Sequence, residues 1–208
     1  MTPLRRSVIP DVVPATVGTL STLPGVVIAY ATGEQIYAEG DQAQFLYAVV
    51  AGAVRTVRHS SDGRRQVGDF YYPGDLFGLE AEPEHAFAAE AMCPVQIRII
   101  RLGSAEDRAF AEAALRELAR AHEHLAMLGR RSAEEKVASF LLELAHQGPC
   151  GQAALPMSRQ DMADYLGLAL ETVSRVLGRF QDEKLVAFSS CRDFRIVKRS
   201  RLQRLAST

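Results

Sequence analysis

Cysteine is scarce in this 208-residue chain, and the few present form no pattern. Cys93, Cys150 and Cys191 are an odd number, widely spaced and in no CxxC pair. That excludes a disulfide framework and a four-ligand cysteine metal site, and it fits a reducing cytoplasm. Long hydrophobic runs are missing too. No apolar stretch approaches the ~20 residues of a membrane helix, and Leu23–Ala31, among the longest, is broken by Pro and Gly. Arg5 and Arg6 are followed by no hydrophobic segment of signal-peptide type, so nothing points to export. Nor does one sign of charge dominate, the formal net charge being −1. What remains, 48% hydrophobic and 24% charged residues, excludes bulk disorder and suits one large domain or two small ones, each able to bury a core.

The near-zero net charge hides an asymmetry. Residues 1–130 carry 12 Lys/Arg against 16 Asp/Glu, whereas residues 131–208 carry 12 against 9. Between Arg192 and Arg204 lie Arg195, Lys198, Arg199 and Arg201, opposed only by Asp193. A basic module on an acidic body suits phosphate binding, although a solvated basic tail would look the same.

Residues 1–25 hold Pro3, Pro10, Pro14 and Pro24 without periodicity and read as an arm. From 26 to 103, short runs rich in Val, Ile, Tyr and Phe (Phe45–Val50, Val54–Arg58, Gln66–Tyr72, Val95–Leu102) are separated by glycine and acid clusters. This spacing predicts a β-barrel or jelly roll, with a hairpin at Asp62-Gly63. From 104 to 130 the pattern turns helical. Ala114, Leu118, Ala121, Leu125 and Leu128 repeat at 4, 3, 4, 3, flanked by charges. Such a seam packs against its twin in a coiled-coil dimer, or against its own barrel; the charged flanks favour the homodimer. A further helix is capped by Ser132 and runs to Leu144.

Residues 131–208 carry the functional signal. Ser158 with Asp161 is a capping box that opens a short helix, Gly167 ends it, and a second helix starts after Ala169. Two short helices joined by a glycine-containing turn make a helix-turn-helix. On the second, Leu170, Val173, Leu177 and Phe180 share one face, while Glu171, Thr172, Ser174, Arg175 and Arg179 project the other way. Arg bonds guanine bidentately, Glu accepts from cytosine, and Ser reaches either, so Glu171, Ser174 and Arg175 are the candidate base readers of double-stranded DNA. Glu171 and Arg175, four apart, can also pair with each other. Ser158, Arg159, Thr172, Arg179 and Arg192 are the candidate backbone contacts. Leu185–Ser189 and Phe194–Val197 predict a hairpin wing with Cys191 and Arg192 at its tip.

Gly-Leu-Ala-Leu-Glu-Thr-Val-Ser-Arg (167–175) with Leu-Gly-Arg-Phe (177–180) resembles the recognition helix of the CRP/FNR superfamily. Gly33, Gly40-Asp41, Gly52, Gly63, Pro73-Gly74-Asp75 and Phe77-Gly78 resemble its cyclic-nucleotide-binding-type barrel, and residues 129–138 its hinge. Within that superfamily, Gly-Asp-Leu-Phe-Gly-Leu-Glu (74–80) and residues 158–167 look most like the FixK branch, whose regulators act in low-oxygen respiration and nitrogen fixation. The resemblance implies an α+β chain: barrel, long dimerisation helix, and C-terminal winged helix-turn-helix. It also implies a palindromic TTGAT-type site, read through Glu171, Ser174 and Arg175. The protein is expected to be an activator, which should also touch RNA polymerase, and barrel-surface loops such as Asp62–Arg65 are the candidates for that contact. The family often has Thr where Ala169 stands, and Ala cannot cap the recognition helix.

Regulation is expected to need no cofactor. Residues 1–30 hold no cysteine for an iron–sulfur cluster. His85-Ala86 stands where the family's phosphate-holding Arg-Ser is expected, beside Glu80, Glu82 and Glu84, which disfavours cyclic nucleotide. His59, His85, His122, His124 and His146 show no metal-ligand spacing, so no metal site is assigned. An exposed thiol beside Arg192 would oxidise readily, making Cys191 a candidate redox switch. The alternative is a haem- or small-ligand-gated sensor whose barrel must be filled before DNA binds. A jelly-roll enzyme is not expected, because no nucleophile–base or ligand constellation appears.

Overall fold

The computed structural model describes residues 24–101, 107–147, 152–190 and 193–207. Eight strands come first: β1 (Val26–Tyr30), β2 (Gln35–Tyr37), β3 (Phe45–Ala51), β4 (Val54–His59), β5 (Arg65–Tyr71), β6 (Leu76–Phe77), β7 (Ala88–Ala91) and β8 (Val95–Arg101). They form two antiparallel sheets, β1-β8-β3-β6 and β2-β7-β4-β5. Alternation along the strands aims Tyr37, Tyr47, Val49, Val54, Phe77 and Ile97 between the sheets, where all are buried. The hairpin predicted at Asp62-Gly63 joins β4 to β5, with Gly63 at φ +81°, a conformation that favours glycine. The four strand-like runs appear within a residue or so of their predicted ends. The short β2 and β7, Gln-Ile-Tyr and Ala-Ala-Glu-Ala, were not signalled by the sequence.

Helix α1 (Asp107–Leu128) follows, then α2 (Ala133–Gln147), β9 (Gln152–Ala154), α3 (Arg159–Leu166), α4 (Leu170–Asp182), β10 (Val186–Phe188), β11 (Asp193–Ile196) and α5 (Arg199–Ala206). The wing is a three-stranded sheet, β10-β11-β9, rather than a bare hairpin, because Ala153 and Ala154 pair with Phe194 and Asp193. Part of the basic C-terminal run forms α5, which buries Leu202 and Ala206. Ser132 caps α2 as predicted, its Oγ accepting from the Glu135 N–H at 3.1 Å.

The modules are not beads on a string. The core formed by Phe140, Leu141, Leu166, Val173 and Phe180 continues into barrel residues Val57, Val67 and Phe70. The Phe70 ring lies 5.2 Å from that of Tyr165 and 6.3 Å from that of Phe140. Along α1, Ala113 and Met127 are buried, while Leu115, Leu118 and Leu125 are 66%, 52% and 64% exposed. Among the described residues no helix is long and apolar enough to cross a membrane.

Candidate nucleic-acid interface

The helix-turn-helix assembles from local signals. Ser158 Oγ accepts from the Asp161 N–H at 3.0 Å, and Asp161 Oδ2 accepts from the Ser158 N–H at 3.0 Å, which closes the capping box. At the other end Gly167 sits at φ +62°, and its N–H returns to Ala163 O. Helix α4 starts from Ala169 with no side-chain cap, as the missing Thr implied.

Val173, Val176, Leu177 and Phe180 bury one face of α4. Leu170, expected on that face, is 36% exposed and Val176 takes its place, since the first residue of the helix lies ahead of the turn that reaches the core. Glu171 and Arg175 are exposed and Ser174 is half-buried between them, so the three candidate base readers share an outward surface. Glu171 and Arg175 do not pair. Arg175 Nη2 instead approaches Thr172 Oγ1 at 3.5 Å; an exposed i,i+4 ion pair is worth only about 0.3–0.5 kcal/mol, too little to impose its geometry.

The candidate backbone contacts divide. Ser158 and Arg159 are exposed at the start of α3, and Thr172 is half-buried. Arg179, although 46% exposed, is bonded to Glu134 of α2 and lies 3.6 Å from Glu183, which also holds Arg201 at 3.0 Å. Cys191 and Arg192 lie outside the described residues. Of the residues expected to form a dimerisation seam, Ala114, Leu118, Ala121 and Leu125 are exposed and continuous with Leu115. Leu128 departs from it: half-buried, it points its Cδ2 to within 3.7 Å of where a Cβ on Gly167 would stand.

Inside the barrel, His85 is buried and stacks on Tyr37, ring centroids 3.7 Å apart, with its Nδ1 3.4 Å from Glu80 Oε1. Tyr47 and Phe77 close around the pair. Glu82 and Glu84 are exposed, so the expected acidic pocket reduces to Glu80. His59 and His122 are exposed, and among the described residues no three metal-ligating side chains gather.

Sequence reasoning missed the ionic centre where barrel, α1 and α2 meet. Arg120 of α1 reaches Asp75 at 2.6 Å, Asp69 at 3.3 Å and Phe70 O at 3.0 Å. Beside it, the Tyr71 hydroxyl donates to Glu117 Oε2 at 3.1 Å. Burial pushes the Glu117 carboxyl up to about 7, with Asp69 and Asp75 adding to it against Arg120. Burial likewise pushes Glu143 up to about 7, reinforced by Glu123 and Asp69. The bonded partners lie 45 to 51 positions apart in sequence, and no spacing marks them.

Two family models match this chain: a cyclic nucleotide-binding domain over residues 27–109 and a Crp-like helix-turn-helix domain over residues 135–205. The chain is 43% identical to the nitrogen fixation regulation protein FixK of Rhizobium meliloti over 88% of its length and 89% of that protein's. It is 37% identical to the transcriptional activatory protein AadR of Rhodopseudomonas palustris, over 76% and 72%. Among solved structures, FixK2 from Bradyrhizobium japonicum superposes with a TM-score of 0.81 at 42% identity, covering 89% of this chain and 99% of that one.

Proposed function

The chain belongs to the CRP/FNR family of transcription regulators, and from that premise we propose that it binds a palindromic TTGAT-type DNA site as a homodimer. One α4 helix per protomer enters the major groove, with Glu171, Ser174 and Arg175 at the base edges and Ser158, Arg159, Thr172 and Arg192 toward phosphates. The observation that carries this reading is the outward set on α4, its guanidinium and carboxylate bound to no neighbouring helix. The exposed leucines of α1 support the dimer, since three large apolar side chains in one stripe are costly to leave in water.

The protein acts in the cytoplasm on genes of low-oxygen or nitrogen metabolism; its FixK relatives are named as nitrogen fixation regulation proteins. It needs neither cyclic nucleotide nor iron–sulfur cluster. Where a cyclic phosphate would need a cation, the barrel presents His85 stacked on Tyr37. As an activator it touches RNA polymerase, and the β4–β5 turn offers the exposed Arg64 for this, whereas Arg65 is turned inward. Oxidation of Cys191 weakens DNA binding by adding negative charge near phosphate.

Fluorescence anisotropy with reduced, ligand-free protein tests the whole reading. A palindromic TTGAT duplex should bind far more tightly than a scrambled one, with a steep salt slope. Peroxide should weaken this binding in the wild type and spare Cys191→Ser. Equal weak binding to both duplexes overturns the reading, and a visible absorption band in the purified protein would then favour a haem-gated sensor.

A further inference from the structure

Helix α3 is gripped at both ends by side chains from outside the helix-turn-helix. At its start, Asp161 Oδ1 accepts from Arg55 Nη1 and from Arg65 Nη2, each at 2.8 Å, while Arg65 Nη1 donates to Asp164 Oδ2 at 2.7 Å. Both arginines belong to the barrel hairpin β4–β5. Arg55 is itself braced by Glu90 of β7, at 2.8 Å. At the end of α3, His124 of α1 stacks on Tyr165, centroids 3.8 Å apart, and its Nε2 donates to Tyr165 O at 2.8 Å. That carbonyl can only accept, so the proton is on Nε2. It is also one of the carbonyls that a helix end leaves without an intrahelical partner.

The Asp161 side chain is 3% exposed and would be costly there without partners. Asp161 Oδ2 accepts from the Ser158 N–H and hydroxyl within the capping box, but Oδ1 is satisfied only by the two guanidiniums of this docked orientation. Rotating the helix-turn-helix away would break three ion pairs, part Arg65 from both its carboxylates and free a helix-end carbonyl at once. Helix α4 follows α3 through the short turn Gly167–Ala169 and shares its core, so the angle of α4 to α1 is inherited from this grip.

We propose that Arg55, Arg65 and His124 are positioning residues for DNA recognition: they fix the recognition helix relative to the dimerisation helix, so that the ligand-free dimer accepts one half-site spacing. This rests on the dimeric reading above. Arg serves where Lys would not, because one planar guanidinium spans Asp161 and Asp164 at once.

The test uses full-length Arg65→Ala, Arg65→Lys and His124→Phe, each checked for fold by circular dichroism. DNA duplexes carry two half-sites at the preferred spacing, two half-sites one base pair closer or farther, or a single half-site. For Arg65→Ala, single-half-site affinity should stay within about twofold of wild type, while affinity for the preferred palindrome falls about tenfold or more and the spacing preference flattens. A merely structural role would lower all affinities together and leave the spacing preference intact. Independently of DNA, spin labels at positions 122 and 181 of one protomer, diluted with unlabelled protein, should give a narrow distance distribution in wild type and a broad one in Arg65→Ala. Should Arg65→Ala fail to fold, Arg65→Lys and His124→Phe carry both readouts. A folded variant set with wild-type spacing preference and a narrow distribution overturns the proposal. Wild type that ignores the palindrome refutes the functional reading instead, and the label distances still decide the grip.

Discussion

Arg175 and Arg179 stand one turn apart on α4 and are held differently. Arg175 approaches Thr172 of its own helix, at 3.5 Å, on the exposed face. Arg179 is spent on Glu134 and Glu183. Arg175→Ala should therefore cost about 1–3 kcal/mol of specific binding and relax the base preference at one position of each half-site. Arg179→Ala should leave that preference alone and lower thermal stability slightly, by at most about 1 kcal/mol, since its partners are partly exposed. Anisotropy against a panel of single-base substitutions separates the two. Equal loss of base discrimination in both variants would contradict this division of labour.

At the level of elements, the ends of α3 and α4 differ. α3 has a full capping box and a left-handed glycine, whereas α4 begins at an uncapped Ala169. Ala169→Thr should raise the unfolding free energy by about 1 kcal/mol, read as a higher thermal midpoint; an unchanged midpoint would mean the Thr hydroxyl does not reach the orphan N–H groups. On α1, Leu118→Asp with Leu125→Asp should convert the dimer to a monomer by sedimentation and spare the fold, because both side chains are largely in water within one protomer. These ends and faces are also what the sequence made legible. Ser158, Asp161, Gly63, Gly167 and the Ala114–Leu125 stripe each act within a turn or two of chain, where spacing translates directly into geometry. Helix α5 escaped notice because Leu202, Leu205 and Ala206 are a thin apolar stripe among basic residues, stabilised by docking on α2 and by the distant Arg201–Glu183 pair. β7 is a strand because the barrel closes on it, its Ala-Ala-Glu-Ala having little propensity of its own, and β2 is too short for Ile36 and Tyr37 to announce it. Arg65 and Asp161 are 96 positions apart, so nothing local announces their bond. Leu128 fitted the seam by spacing, yet the helix-turn-helix packs close enough to claim it.

Across the whole molecule, barrel, α1 and α2 meet at a centre that stores unfavourable charge. Glu117 and Glu143 have carboxyls pushed up to about 7 by burial, from an ordinary value of 4.5. Raised carboxyls stabilise the folded state fully below their unfolded pKa, and that contribution is lost as pH rises through the folded value. Asp161 works in the opposite sense. Burial alone would raise it, but hydrogen bonds from Arg65 and Ser158 and the charge of Arg55 hold it below the usual carboxylate range. Its contribution is present above its unfolded pKa of 3.8 and lost only as pH falls through the lower folded value, so it is constant near neutrality. Between pH 4.5 and about 7 these two acids therefore add a falling slope, and thermal stability should drop as pH rises, by about 1–3 kcal/mol for each of the two groups. Glu143→Gln removes one of them at nearly constant volume and should flatten the profile while raising the midpoint at pH 8. A wild-type midpoint that is level or rising from pH 6 to pH 8, or a variant as steep as wild type, would show that Glu143 is not held protonated at the junction. Because Tyr165 of α3 lies over Phe70 and Phe140 at that same junction, loosening it at high pH should reach the recognition helix before it unfolds the barrel. The spacing preference for DNA should then weaken between pH 7 and 8.5 while the circular dichroism spectrum stays constant.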